Sequence, residues 1–134
     1  MQNAAVQENC YKGSLGQAVE GIASQLGLGT EALAGVLGLS PLECARLLAG
    51  KTSFSANSEA MDRFAMLCDI HRGLARLFEH DLKRIRNWMH VESKAFPGTP
   101  LEEADTLEGL GVILDRVGEL LEVRESARKI YAFN

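Results

Sequence analysis

Apolar residues in this chain recur at spacings of three and four, and nearly every run is bounded by a residue that starts or stops a helix. That period matches the turn of an amphipathic α-helix, and the boundary residues cut the chain into several short helices and two long ones. No alternating apolar and polar run lies between turn residues, and neither Asn-Gly nor Asp-Gly occurs, so no strand is expected. The fold class that follows is all-α.

Residues 1–13 are polar, aperiodic and followed by Ser14, which suggests an arm ahead of the folded body. Leu15, Val19, Ile22 and Leu26 mark a first helix, ended by Gly27 or Gly29. Thr30 is placed to cap a short second helix through Leu33, Val36 and Leu37, closed by Gly38. The clearest start follows, where Ser40, Pro41, Leu42 and Glu43 spell a capping box with proline in the first helical position. That third helix turns Cys44 or Ala45, Leu47 and Leu48 inward and stops at Gly50. Ser58 is expected to cap a long helix with Met61, Phe64, Leu67, Cys68, His71, Leu74, Leu77 and Phe78 on one face. A further helix is read over residues 80–90, with Leu82, Ile85, Trp88 and Met89 on one side. Phe96, Pro97, Gly98, Thr99 and Pro100 then force a turn. After Thr106, the residues Leu107, Leu110, Leu114, Val117 and Leu121 form an apolar seam suited to another helix, and the tail from Arg124 shows no clear stop.

A chain of 134 residues with 46% apolar and 24% charged side chains can bury a core without disulfides or metal. Cys10, Cys44 and Cys68 are odd in number and widely spaced, which fits a reducing cytoplasm. No apolar run approaches the roughly 20 residues that span a bilayer, and the first eight residues lack a basic start, so neither secretion nor membrane insertion is expected. With 14 Lys and Arg against 18 Asp and Glu the net charge is −4, which argues against nucleic-acid binding by the whole surface. Any DNA contact would have to be local.

No catalytic constellation emerges, and neither an enzyme activity nor a cofactor is expected. His71, His80 and His90 fall on different helices or faces with no cysteine at ligand spacing, so packed or surface imidazoles are the reading and a metal is not. Glu102, Glu103, Asp105 and Glu108 cluster where acids complement a helix start. Arg72, Arg76, Lys83, Arg84 and Arg86 are interleaved with Glu79 and Asp81, the pattern of a solvated charged face.

Residues 30–50 have the proportions of a helix-turn-helix, although a plain helical hairpin fits as well. If DNA is read there, Ser40, Leu42, Glu43 and Arg46 face the bases and Lys51 the phosphates. Arg46 and Lys51 are the only cations between residues 14 and 57, so one subunit would bind weakly and a homodimer would be needed. Trp88 with the turn at Phe96–Pro100 reads most simply as core and its cover, with an anchor for a protein partner as the alternative, and Tyr131 and Phe133 in the tail are candidate anchors of the same kind.

Trp88, then Phe96, Gly98, Thr99, Pro100 and Leu101, then Glu108, Gly109, Val112, Leu114 and Gly118 follow an order that resembles the toxin-binding domain of Xre/MbcA/ParS-type antitoxins. Ser58, Glu59, Arg63 and Phe64 in the long helix look similar too, as do residues 33–51 ahead of it. The resemblance covers about residues 15–122. The chain departs from the family in Phe96-Pro97-Gly98, where a second glycine is common, and in an acidic helix-turn-helix half. The resemblance implies a division into an arm (1–13), an Xre-like region (14–57) and a toxin-binding domain (58–134). It further implies neutralisation of a RES-type, NAD-consuming toxin and repression of the operon, with Trp88, Phe96, Pro100 and Leu101 at the partner surface; Tyr131 and Phe133, beyond the matched stretch, join that surface as aromatic residues of the tail. A stand-alone helix-turn-helix regulator is the competing expectation, and a small ligand-binding helical domain a third.

Overall fold

The computed structural model describes residues 14–92 and 98–131, with Tyr131 by its backbone alone. The expected arm, residues 1–13, and the aromatic residues Phe96 and Phe133 lie outside these. Seven helices and no strand occur among the described residues, so the chain is all-helical. They are α1 (Leu15–Leu26), α2 (Thr30–Leu37), α3 (Pro41–Leu48), α4 (Glu59–Leu77), α5 (Leu82–Trp88), α6 (Pro100–Glu103) and α7 (Leu107–Tyr131).

Local hydrogen bonds explain most of the boundaries. Ser14 and Gln17 close a capping box on α1, and Gly27, at φ +70°, ends it in the left-handed conformation that costs glycine little. Gly29 caps α2, and Thr30 is already helical, because the Leu33 N–H bonds back to the Gly29 carbonyl at 2.9 Å. The expected Thr30 cap is thus displaced by one residue. Ser58 caps α4 as the sequence suggested, its hydroxyl accepting from the Met61 N–H at 3.2 Å. The helix expected over residues 80–90 is shorter at both ends. Glu79 and His80 adopt φ of +52° and +65°, which breaks the run after α4, and Asp81 caps the new start. The open tail proves helical, since α7 continues through Tyr131.

One cluster of buried side chains runs from Val19 to Val117. α4 lies at its centre and packs most extensively on α7, with α1 and α2 against other parts of its surface. α1 also meets α3 and α5, and α2 meets α3. Gly16 makes the α1 approach possible, because any β-carbon there would collide with the Leu47 carbonyl of α3. The single apolar face expected for α4 is in fact wider. Ile70 is fully buried, and it falls between Met66, which reaches Gly111, and Gly73, which lies against Val117. Each helix of that pair uses up apolar surface that a partner could otherwise have met.

Candidate binding surfaces

The capping box that starts α3 also determines what its outer face offers. The Glu43 N–H donates to the Ser40 hydroxyl at 3.1 Å, and the Ser40 N–H donates to the Glu43 carboxylate at 3.0 Å. The Ser40 N–H, and after it the Ser40 hydroxyl, hold the Glu43 carboxyl below its ordinary range. Ser40 and Glu43 are therefore engaged with one another at the helix start. Cys44 and Leu47 point into the core, while Ala45 faces solvent, which resolves the choice between Cys44 and Ala45. Leu42 is 69% exposed, with Arg46 exposed on the same side and Lys51 exposed beyond the helix end.

These residues border a shallow groove of about 480 Å³, in which Leu42, Glu43 and Arg46 face Thr52, Ser53 and Phe54 across the chain reversal after α3. Four of the five residues expected at a DNA surface are thus neighbours, since Ser40 adjoins Leu42 and Glu43 at the helix start; Lys51 does not line the groove. Phe54 was missed as part of this surface. It rests edge-on against Phe64 of α4, with ring centroids 6.5 Å apart, and an aromatic isolated in a polar connection was the available signal.

The second surface is built around the turn into α6. Thr99 and Glu102 form a capping box, the Thr99 N–H donating to the Glu102 carboxylate at 2.8 Å, with Pro100 in the first helical position. The Leu101 N–H bonds to the carbonyl of Met89 at 2.9 Å, tying this turn to the residue after Trp88. Trp88 is half-buried and packs against the core, as does Leu101. Pro100, in the first turn of α6, is buried within the chain. Tyr131 ends α7, but its side chain, like Phe96 and Phe133, lies outside the described residues.

The apolar seam of α7 packs on another helix of the same chain: Leu110, Ile113 and Val117 are buried and Leu107, Leu114 and Leu121 half-buried, with α4 as the main cover. Val112, Val123 and Ile130 remain outward, at 45%, 66% and 65% exposure. The far end of α7 is anchored by arginines. Arg124 donates to the carbonyls of Arg76 and Leu77 at the end of α4, and Arg128 pairs with Glu79 at 2.6 Å. A cation at a helix C-terminus is favourable both for charge and for the unpaired carbonyls.

Several of the other charged groups have structural partners. Arg72 pairs with Asp69 and Arg84 with Asp81, each within one helical turn. Arg86 donates to the Ser24 carbonyl at 3.1 Å, and His90 Nε2 lies 2.8 Å from the Gly27 carbonyl, so α5 and its exit tie down the end of α1. Among the described residues no three His, Cys, Asp or Glu side chains come together as a metal site. Burial pushes the Cys44 and Cys68 thiols up, which favours the protonated, unreactive form. Burial, with the charges of Arg72 and His80, pushes His71 down. No helix of the described residues is long and apolar enough to cross a membrane.

Comparison with known proteins finds no family model and no curated protein that matches the chain.

Proposed function

We propose that this chain is an antitoxin of the Xre/MbcA/ParS type, a cytoplasmic binding protein without catalytic activity that neutralises a RES-type, NAD-consuming toxin. The observation that supports it most is the C-terminal arrangement. A capped turn at Thr99–Leu101 is bound to the chain beside Trp88, and it leads into a helix that runs on after Arg124 has capped the end of α4. Val123, just before Arg124, and Ile130, beyond it, face solvent. An exposed helix end with apolar residues is a surface that a protein partner can cover. The partner surface is then Trp88, Leu101 and the outer face of α7, with Phe96 as a further anchor that the family resemblance implies and Tyr131 and Phe133 as aromatic anchors in the tail.

A reading frame for a RES-domain protein beside this one is the first thing this reading requires, and co-expression of the two chains then tests it. The two chains are expected to co-purify and growth to be restored. Removing residues 129–134, which keeps Arg124 and Arg128, is expected to leave helical content unchanged and weaken rescue. Failure of the intact chain to bind that protein, or to restore growth, overturns the proposal.

The α2–α3 pair favours a second reading, a stand-alone helix-turn-helix regulator without a toxin partner. Its support is the exposed Leu42 and Arg46 face of α3, a helix joined to α2 by a three-residue connection. Two cations are few for a DNA reader, so this reading requires a homodimer that presents Arg46 and Lys51 twice to operator DNA.

A further inference from the structure

Arg63 is charged, yet its side chain is only 12% exposed. Its Nε donates to the Glu59 carboxylate one turn earlier in α4, at 2.7 Å. Nη1 reaches two backbone carbonyls, that of Val36 at 3.3 Å and that of Asp105 at 2.8 Å. Val36 lies in the last turn of α2, where carbonyls have no partner within the helix. Asp105 lies in the turn between α6 and α7. The end of α2 rests on the same guanidinium, because a β-carbon on Gly38 would stand 3.1 Å from its Cζ. Three segments that are 27 and 42 residues from Arg63 or within its own helix thus meet at one cation.

We propose that Arg63 is a coupling residue, through which the conformation of the turn ahead of α7 controls how firmly α2 is seated, and with it the α3 that packs on α2. The planar guanidinium accounts for the effect. Its donors point in fixed directions, so a shift of the Asp105 carbonyl changes the aim at Val36 as well. Coupling of this kind is reciprocal, and an event at the α3 face is felt equally at the turn. The inference stands without the antitoxin reading. Together with it, the joint would link a partner at the C-terminal half to the state of the α3 face.

Backbone amide exchange in the full chain, with paired substitutions, tests the joint. Thr106→Ala disturbs the turn by removing the hydroxyl that accepts the Gly109 N–H at 2.9 Å. The reporters are the amides of Gly38 and Leu39, which close the end of α2 on the Gly35 and Ala34 carbonyls. Thr106→Ala is expected to speed their exchange by at least about three-fold, the lower range of coupling for groups in one hydrogen-bond network. The Ile85 amide in α5 is expected to stay unchanged. In an Arg63→Gln background the reporters should already exchange faster, and Thr106→Ala should add little. Arg63→Lys, which retains the charge and lacks the fork, serves if the glutamine variant does not fold, and the same loss of response is expected. An unresponsive α2, or an equal response with and without Arg63, overturns the proposal.

Discussion

Gly73 of α4 lies directly against Val117 of α7, and a β-carbon on the glycine would stand 2.5 Å from the Val117 Cγ1 methyl and 3.8 Å from Leu121 Cδ1. Glycine inside a helix costs up to about 1 kcal/mol relative to alanine, so its presence in mid-helix needs a packing reason. Here the reason is the close approach of the two longest helices. Gly73→Ala is expected to destabilise the fold by about 1–3 kcal/mol through overpacking, despite the better helix propensity. Urea unfolding measures this, and adding Val117→Ala should recover part of the loss. Independent, additive costs for the two changes would show that the contact is not responsible.

Ser40→Ala removes the hydroxyl that receives the Glu43 N–H at 3.1 Å. The expected cost is about 1 kcal/mol, the usual loss for a serine cap. Ser40→Asp should retain most of the stability, since its carboxylate can accept the same bond. Thermal or urea midpoints of the three proteins check the order.

His71 gives the fold an acid sensitivity. Burial and the positive charges of Arg72 and His80 hold its folded pKa below the ordinary value of 6.5. Above that value both folded and unfolded forms are neutral there, and His71 contributes no slope. As pH falls below it, the unfolded chain takes up the proton more readily, so stability falls until the folded imidazole also titrates. His71→Gln is expected to flatten the stability profile between pH 7 and the folded pKa. An unaltered slope would assign the acid sensitivity to other groups.

Arg46 and Lys51 are the two cations available to the α3 surface. If operator DNA is bound there, Arg46→Ala with Lys51→Ala should weaken binding and reduce the dependence of log affinity on log salt by up to about two phosphate contacts per subunit. Binding measured at several salt concentrations reads this out. A slope unaffected by the double change would move the DNA surface elsewhere.

The helix starts at Ser40 and Ser58 and the stop at Gly38 were legible in the sequence, and so was the all-helical class, while the first stop was narrowed only to Gly27 or Gly29. Caps and turns are hydrogen bonds between residues three to five apart, so the information is local and needs no fold to read. The groove residues Leu42, Glu43 and Arg46 were legible for the same reason, as they share one helix.

Which apolar faces remain open was decided only by the tertiary structure. Periodicity marks the seam from Leu107 to Leu121 as buried against something, and it is silent about whether the cover is α4 or another molecule. Ile70 and Gly73 belong to a second face of α4 that exists only because α7 packs there. The polar ties are equally invisible beforehand: Arg63 to Asp105, Arg86 to Ser24 and His90 to Gly27 join residues 42, 62 and 63 positions apart. Such bonds follow no period, because their spacing is set by how the helices stack, and stacking depends on every packed side chain at once.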